Sequence, residues 1–142
     1  MAKQINVFLE NRPGKLEQIT GVLADAAVNI LALKITSDEQ YGIFQLLMDD
    51  PERGFRALQQ AGMTASLTDV VAVEVQNTPG SLHSVLKVLR EANVNIEDCY
   101  GFVVDTEKRA IIVLDVTDRA TAKRVLEEQG YRIIGSSELY SL

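Results

Sequence analysis

Residues 11–30 read NRPGKLEQITGVLADAAVNI, and residues 77–96 read NTPGSLHSVLKVLREANVNI. Aligned without a gap, the two stretches share ten of twenty residues, among them Asn11/Asn77, Pro13/Pro79, Gly14/Gly80, Leu16/Leu82, Asn29/Asn95 and Ile30/Ile96. A match this dense at a constant offset of 66 positions marks a duplicated module. The 142-residue chain therefore divides into two units, 1–68 and 69–142, joined directly at Thr68-Asp69. Units of roughly 70 residues bury little core each, so they are expected to pack against each other or against a second chain.

Outward from the motif, the elements repeat as well. Ile5, Val7 and Leu9 alternate as one face of a strand, and Val71, Val73 and Val75 do the same. Pro13 and Pro79 suit a first helical position, with Thr78 as N-cap of the second helix and Gly14 and Gly80 in the first turn. Leu16, Ile19, Leu23 and Ala26 then form an apolar helical stripe, matched by Leu82, Val85, Leu89 and Ala92. Strands are expected over 30–36 and 96–104, hairpin loops at Asp38–Gly42 and Asp105–Lys108, and strands over 43–48 and 110–116. Asp50 and Asp118 cap second helices over 51–61 and 119–129, stopped by Gly62 and Gly130. Short strands at 63–67 and 131–134 close each unit. Each order is β-α-β-β-α-β, so the fold class is α+β, two ferredoxin-like modules with two helices on one face of a four-stranded antiparallel sheet. Ile111-Ile112-Val113-Leu114 is apolar on both faces, so the helix-free face should also be covered, and a homo-oligomer, a dimer, is expected.

Composition narrows the function classes. A net charge of −6 argues against nucleic acid or an anionic membrane as partner, since both need clustered Lys and Arg. No apolar run approaches the ~20 residues of a membrane span, and Met1–Gln4 lacks the apolar core of a signal peptide. The single cysteine, Cys99, excludes an intrachain disulfide. A cytoplasmic protein is the expectation.

The duplicated residues hold no Ser-His-Asp set, paired acids or Lys-bearing phosphate loop, so no enzyme, cofactor or metal is expected. His83 reads as a solvent-facing helix residue and Cys99 as a half-buried strand residue. Asp49, Asp50 and Glu52 read as a helix start rather than a metal site. Gly14 and Gly80 have two readings: relief of crowding at a sharp strand-to-helix turn, or a bare approach to the first-turn amides for a carboxylate or phosphate. Asn11 and Asn77 are either turn formers bonding their own backbone or amides that hold a small zwitterion. Asn29 and Asn95 stand where asparagine tolerates a left-handed backbone.

Asn11-Arg12-Pro13-Gly14-x-Leu16 with Val28-Asn29-Ile30, and Asn77-Thr78-Pro79-Gly80-x-Leu82 with Val94-Asn95-Ile96, resemble the ACT domain, a regulatory module of amino-acid metabolism. The resemblance spans the chain as two domains. It implies a free amino acid as ligand, held where two domains meet, between the first strand–helix loop of one and the second strand of the other. By position it implicates Leu9, Asn11, Pro13, Gly14, Asn29 and Ile30, and Val75, Asn77, Pro79, Gly80, Asn95 and Ile96. The serine-binding type of the family carries a polar residue, often histidine, at the positions of Leu9 and Val75, so an apolar amino acid is expected here. With no catalytic segment in view, the signal would pass to a metabolic enzyme or regulator in trans. The rival from another class is a structural subunit with vestigial sites.

Overall fold

The computed structural model describes residues 1–104 and 108–139. The chain forms two compact units, Lys3–Thr68 and Asp69–Leu142, the latter joined by Met1–Ala2.

The first unit runs β1 (Ala2–Glu10), α1 (Lys15–Asp25), β2 (Ile30–Ser37), β3 (Tyr41–Met48), α2 (Pro51–Gln60) and the opening residues of β4 (Thr64–Gln76). β3 lies between β2 and β1, antiparallel to both, with Val7 opposite Phe44 and Ile35 opposite Phe44 on the other side. β1 has β4 as its other neighbour, and Asn6 Nδ2 donates to Thr68 Oγ1 at 2.7 Å. The order β2-β3-β1-β4 is that of a ferredoxin-like sheet. Ile19 and Leu23 of α1 and Leu58 of α2 meet Ile5, Val7 and Leu46 of the sheet in a buried core.

The second unit repeats this with the rest of β4, α3 (Ser81–Glu91), β5 (Ile96–Val103), β6 (Arg109–Val116), α4 (Arg119–Glu128) and β7 (Arg132–Ile134), followed by a short α5 (Ser136–Leu139). β4 pairs β6 with Val73 opposite Ile112, β5 pairs β6 with Gly101 opposite Ile112, and β7 pairs β4. Its core is Val71, Val73, Val85, Leu89, Leu114 and Leu126. The two strands expected around Thr68-Asp69 are one 13-residue strand, β4, because neither Gly nor Pro interrupts the extended run there. Of the hairpin loop expected at Asp105–Lys108, Asp105, Thr106 and Glu107 lie outside the described residues.

Both second helices are capped as the sequence implied: Asp50 accepts from the Arg53 amide at 3.1 Å and Asp118 from the Thr121 amide at 3.0 Å. The Thr121 hydroxyl and amide hold the Asp118 carboxyl below its ordinary value. Asp49 is spoken for as well, accepting from the Asn29 amide at 2.9 Å.

The first helices end differently from expectation. The left-handed residues are Ala27 (φ 58°) and Asn93 (φ 57°), not Asn29 and Asn95. Each follows the helix C-cap in a Schellman turn: Val28 N–H donates to Leu23 O and Val94 N–H to Leu89 O, both at 2.9 Å. Alanine is poorly suited to this conformation, which costs an L-residue about 1 kcal/mol or more. Ala27→Gly is therefore expected to stabilise the first unit by about 1 kcal/mol, read as a raised urea midpoint with an unchanged m-value.

On the helix-free face, Leu47, Ile111 and Val113 are buried. At the β3 end of the first unit that face keeps Phe8, Tyr41 and Ile43 more than 40% exposed, at 47%, 45% and 42%. The rings of Phe8 and Tyr41 stack with centroids 5.3 Å apart.

Candidate functional site

The motif residues sit where β1 passes into α1 and where β4 passes into α3. The helices begin at Lys15 and Ser81, with Gly14 (φ 86°) and Gly80 (φ 88°) as left-handed N-caps. Pro13 and Pro79 therefore precede the helices instead of opening them, and the glycines bear no helix-propensity penalty. Crowding is not the reason for glycine, since a Cβ at either position would meet nothing within 4 Å. The positive φ is the reason. Thr78 does not cap; its Oγ1 lies 2.9 Å from Ser81 Oγ.

This start leaves the same donors free in both units. Lys15 N–H bonds Arg12 O and Gln18 N–H bonds Gly14 O; Ser81 N–H bonds Thr78 O and Ser84 N–H bonds Gly80 O. Between them, the amides of Leu16 and Glu17, and of Leu82 and His83, have no acceptor among the described residues. Two adjacent amides at the positive end of a helix are suited to an anionic oxygen.

Asn11 does not bond its own turn. Its backbone N–H donates to Gln40 O at 2.8 Å and its Nδ2 to Asp38 O at 2.7 Å, which ties the motif to the β2–β3 loop. That loop is stiffened by the Asp38 carboxylate, which accepts from the amides of Gln40 and Tyr41 at 2.8 Å each. These bonds, Tyr41's foremost, hold the Asp38 carboxyl below the ordinary range. Asn77 repeats the backbone tie through Lys108 O.

Asn29 and Asn95 are placed elsewhere. Each joins the start of the second strand to the end of the third, Asp49 N–H donating to Asn29 O and Thr117 N–H to Asn95 O at 3.0 Å. They stand beyond the C-terminal end of α1 and α3, helices of 11 residues each. That is roughly 16 Å from the motif. Within one unit, then, Asn11 with Gly14 and Asn29 cannot hold the same small molecule, nor can Asn77 with Gly80 and Asn95. Ile30 and Ile96, beside them, pack half-buried against the two cores, as does Leu9 against the first. Val75 is buried in the second core.

The second unit also contains a groove of about 280 Å³ beside the α3 start, between the Val75–Thr78 segment, Ser81 and Leu82 on one side and β5 and β6 on the other. Gly101 and Val103 of β5 line it, and sequence reasoning did not single them out. A glycine between Tyr100 and Phe102 inside a strand was the available signal, since it often marks a close backbone approach.

The sequence matches the ACT domain pair family over residues 1–142. The fold is similar to that of a protein from Bacteroides thetaiotaomicron at 34% identity and a TM-score of 0.92, covering 99% of this chain and 96% of that one. It is also similar to the ligand-free regulatory subunit of aspartate kinase from Thermus thermophilus (16% identity, TM-score 0.67, 89% and 91% covered). The corresponding subunit from Thermus flavus follows at 18% identity and TM-score 0.58, with 89% and 90% covered. No protein of curated function matches. No helix among the described residues is long and apolar enough to cross a membrane. The chain belongs to the ACT domain family, which it carries as a pair of ferredoxin-like domains.

Proposed function

We propose that the protein binds a free amino acid and reports its level, without chemistry of its own, to a metabolic enzyme or regulator in trans. The observation that carries this reading is the α3 start. Leu82 and His83 have free amides, and Leu82 lines a groove whose walls are mostly apolar. The carboxylate sits on the amides, the Asn77 amide takes the remaining polar groups, and an apolar side chain lies along Val75 and the β5 strand. Pro79 and Gly80 set the turn that presents those amides, as Pro13 and Gly14 do beside Asn11 and Leu9 in the domain spanning 1–68. Asn29, Ile30, Asn95 and Ile96 take part only where another domain brings them to a motif. The exposed Phe8, Tyr41 and Ile43 favour a homodimer. The acidic charge and the resemblance fit a cytoplasmic regulator without nucleic acid or membrane among its partners.

A ligand of about ten heavy atoms, held by a few contacts, binds in the micromolar to millimolar range. Isothermal titration of the full chain with leucine, valine, phenylalanine, serine and glycine tests the reading. The apolar amino acids are expected to bind at least tenfold more tightly than serine or glycine, and Asn77→Ala to weaken them about tenfold or more. Silence from all five would favour a structural subunit with vestigial sites.

A further inference from the structure

The two helix starts share backbone conformation and free amides, yet the side chains around them differ. Gly101 faces Ile112 across the β5–β6 ladder, and the equivalent pair in the first unit is Ile35 facing Phe44. We propose that only the second domain is open to the amino acid, and that Gly101 opens it, while Phe44 fills the corresponding space in the first domain and Ile35 stands at its rim. This rests on the amino-acid reading above.

Gly101 is not required by backbone conformation, since it is absent from the residues with positive φ. A Cβ there would stand 2.9 Å from Ile111 O, closer than real Cβ atoms come, so any other residue forces the two strands apart. The bare backbone forms part of the groove beside Asn77, Thr78 and Leu82. In the first unit the Phe44 ring leans along β3 until its Cζ is 3.5 Å from where a Cβ of Gly42 would be. That stretch of strand is Ala110–Ile112 in the second unit, where it lines the groove. Phe44 is 5% exposed and belongs to the first core, so its ring is locked in place there. Ile35 adds a branched side chain, 42% exposed, at the rim where Gly101 has none. The groove that Leu82 lines in the second domain thus has as its counterpart in the first a space that the Phe44 ring enters.

Amide-resolved NMR titration of the full chain with leucine, valine or phenylalanine reads the two starts separately. The amides of Leu82, His83 and Gly101 are expected to shift at one saturating equivalent per chain, while those of Leu16 and Glu17 stay in place. Opening the first domain with the double variant Ile35→Gly/Phe44→Ile is expected to raise the stoichiometry to two. Gly101→Ile is expected to abolish binding, and because it strains the β5–β6 pair its fold is checked by thermal melting. Two equivalents on the natural chain would overturn the proposal. So would shifts at Leu16 and Glu17 equal to those at Leu82 and His83, or a double variant that still takes one. If none of the three amino acids moves any amide, the amino-acid reading itself fails, and this one with it.

Discussion

Leu89→Ala is expected to destabilise the second domain by about 3 kcal/mol, and Leu23→Ala the first by a similar amount. Both leucines are fully buried on the sheet-facing side of their helix, each in its own core. The cost is the lost transfer of three carbons from water plus the cavity left behind. A domain of roughly 70 residues has only about 4–10 kcal/mol of stability in hand, so either change consumes a large share of it. Because the two cores are separate clusters, the damage is local. Hydrogen exchange should show the β4–β6 and β5–β6 amides losing protection in Leu89→Ala, and the β1–β3 and β2–β3 amides in Leu23→Ala. Equal loss across both domains from either variant would mean that the chain unfolds as a single unit.

Much of the architecture was legible in the sequence because it depends on periodicity and on residues with one structural use. The apolar spacing of Val85, Leu89 and Ala92 marked one helix face, although Leu82 at its start lies at the groove, 44% exposed, and not in the core; Asp50 and Asp118 stood where a cap was needed. The motif itself was harder to read. Proline followed by glycine suits a helix that opens at the proline, and equally a turn whose glycine is left-handed just before the helix. Only backbone geometry separates the two, and the second holds at Gly14 and Gly80. The left-handed Ala27 carried no signal at all, since alanine rarely adopts that conformation and is placed there by the Schellman turn around it. The site candidates divided for a similar reason. Asn11 and Asn29 look like neighbours in the repeat, 18 positions apart, but a helix of 11 residues carries them to opposite ends. Gly101 was overlooked because a glycine within a strand signals a close approach without naming its partner, here the Ile111 carbonyl on the adjacent strand.

The helix-free faces of the domains have diverged, and there a charge reversal should have a large effect. Glu74 in the second domain and Phe8 in the first occupy the same register position, opposite Ile111 and Ile43; Arg109 and Tyr41 match likewise. Where the first domain stacks Phe8 on Tyr41, the second pairs the Glu74 carboxylate with Arg109 at 2.9 Å and with Arg132 at 3.7 Å. The Glu74 side chain is only 19% exposed, so its charge is poorly screened by water. Glu74→Lys would set a third cation beside two arginines. Its expected cost is about 2 kcal/mol, below the figure for a fully buried pair because both arginines reach solvent. High salt should recover part of that loss, which a merely steric defect would not show. The double variant Glu74→Phe/Arg109→Tyr copies the first domain's solution and leaves Arg132 its ion pair with Glu138. It is expected to stay within about 1 kcal/mol of the natural protein, because replacing both members of a charged pair by packed side chains removes the desolvation cost along with the attraction. Urea unfolding of the two variants at low and high salt decides the matter. A double variant as unstable as Glu74→Lys would mean that this face of the second domain needs the charges themselves.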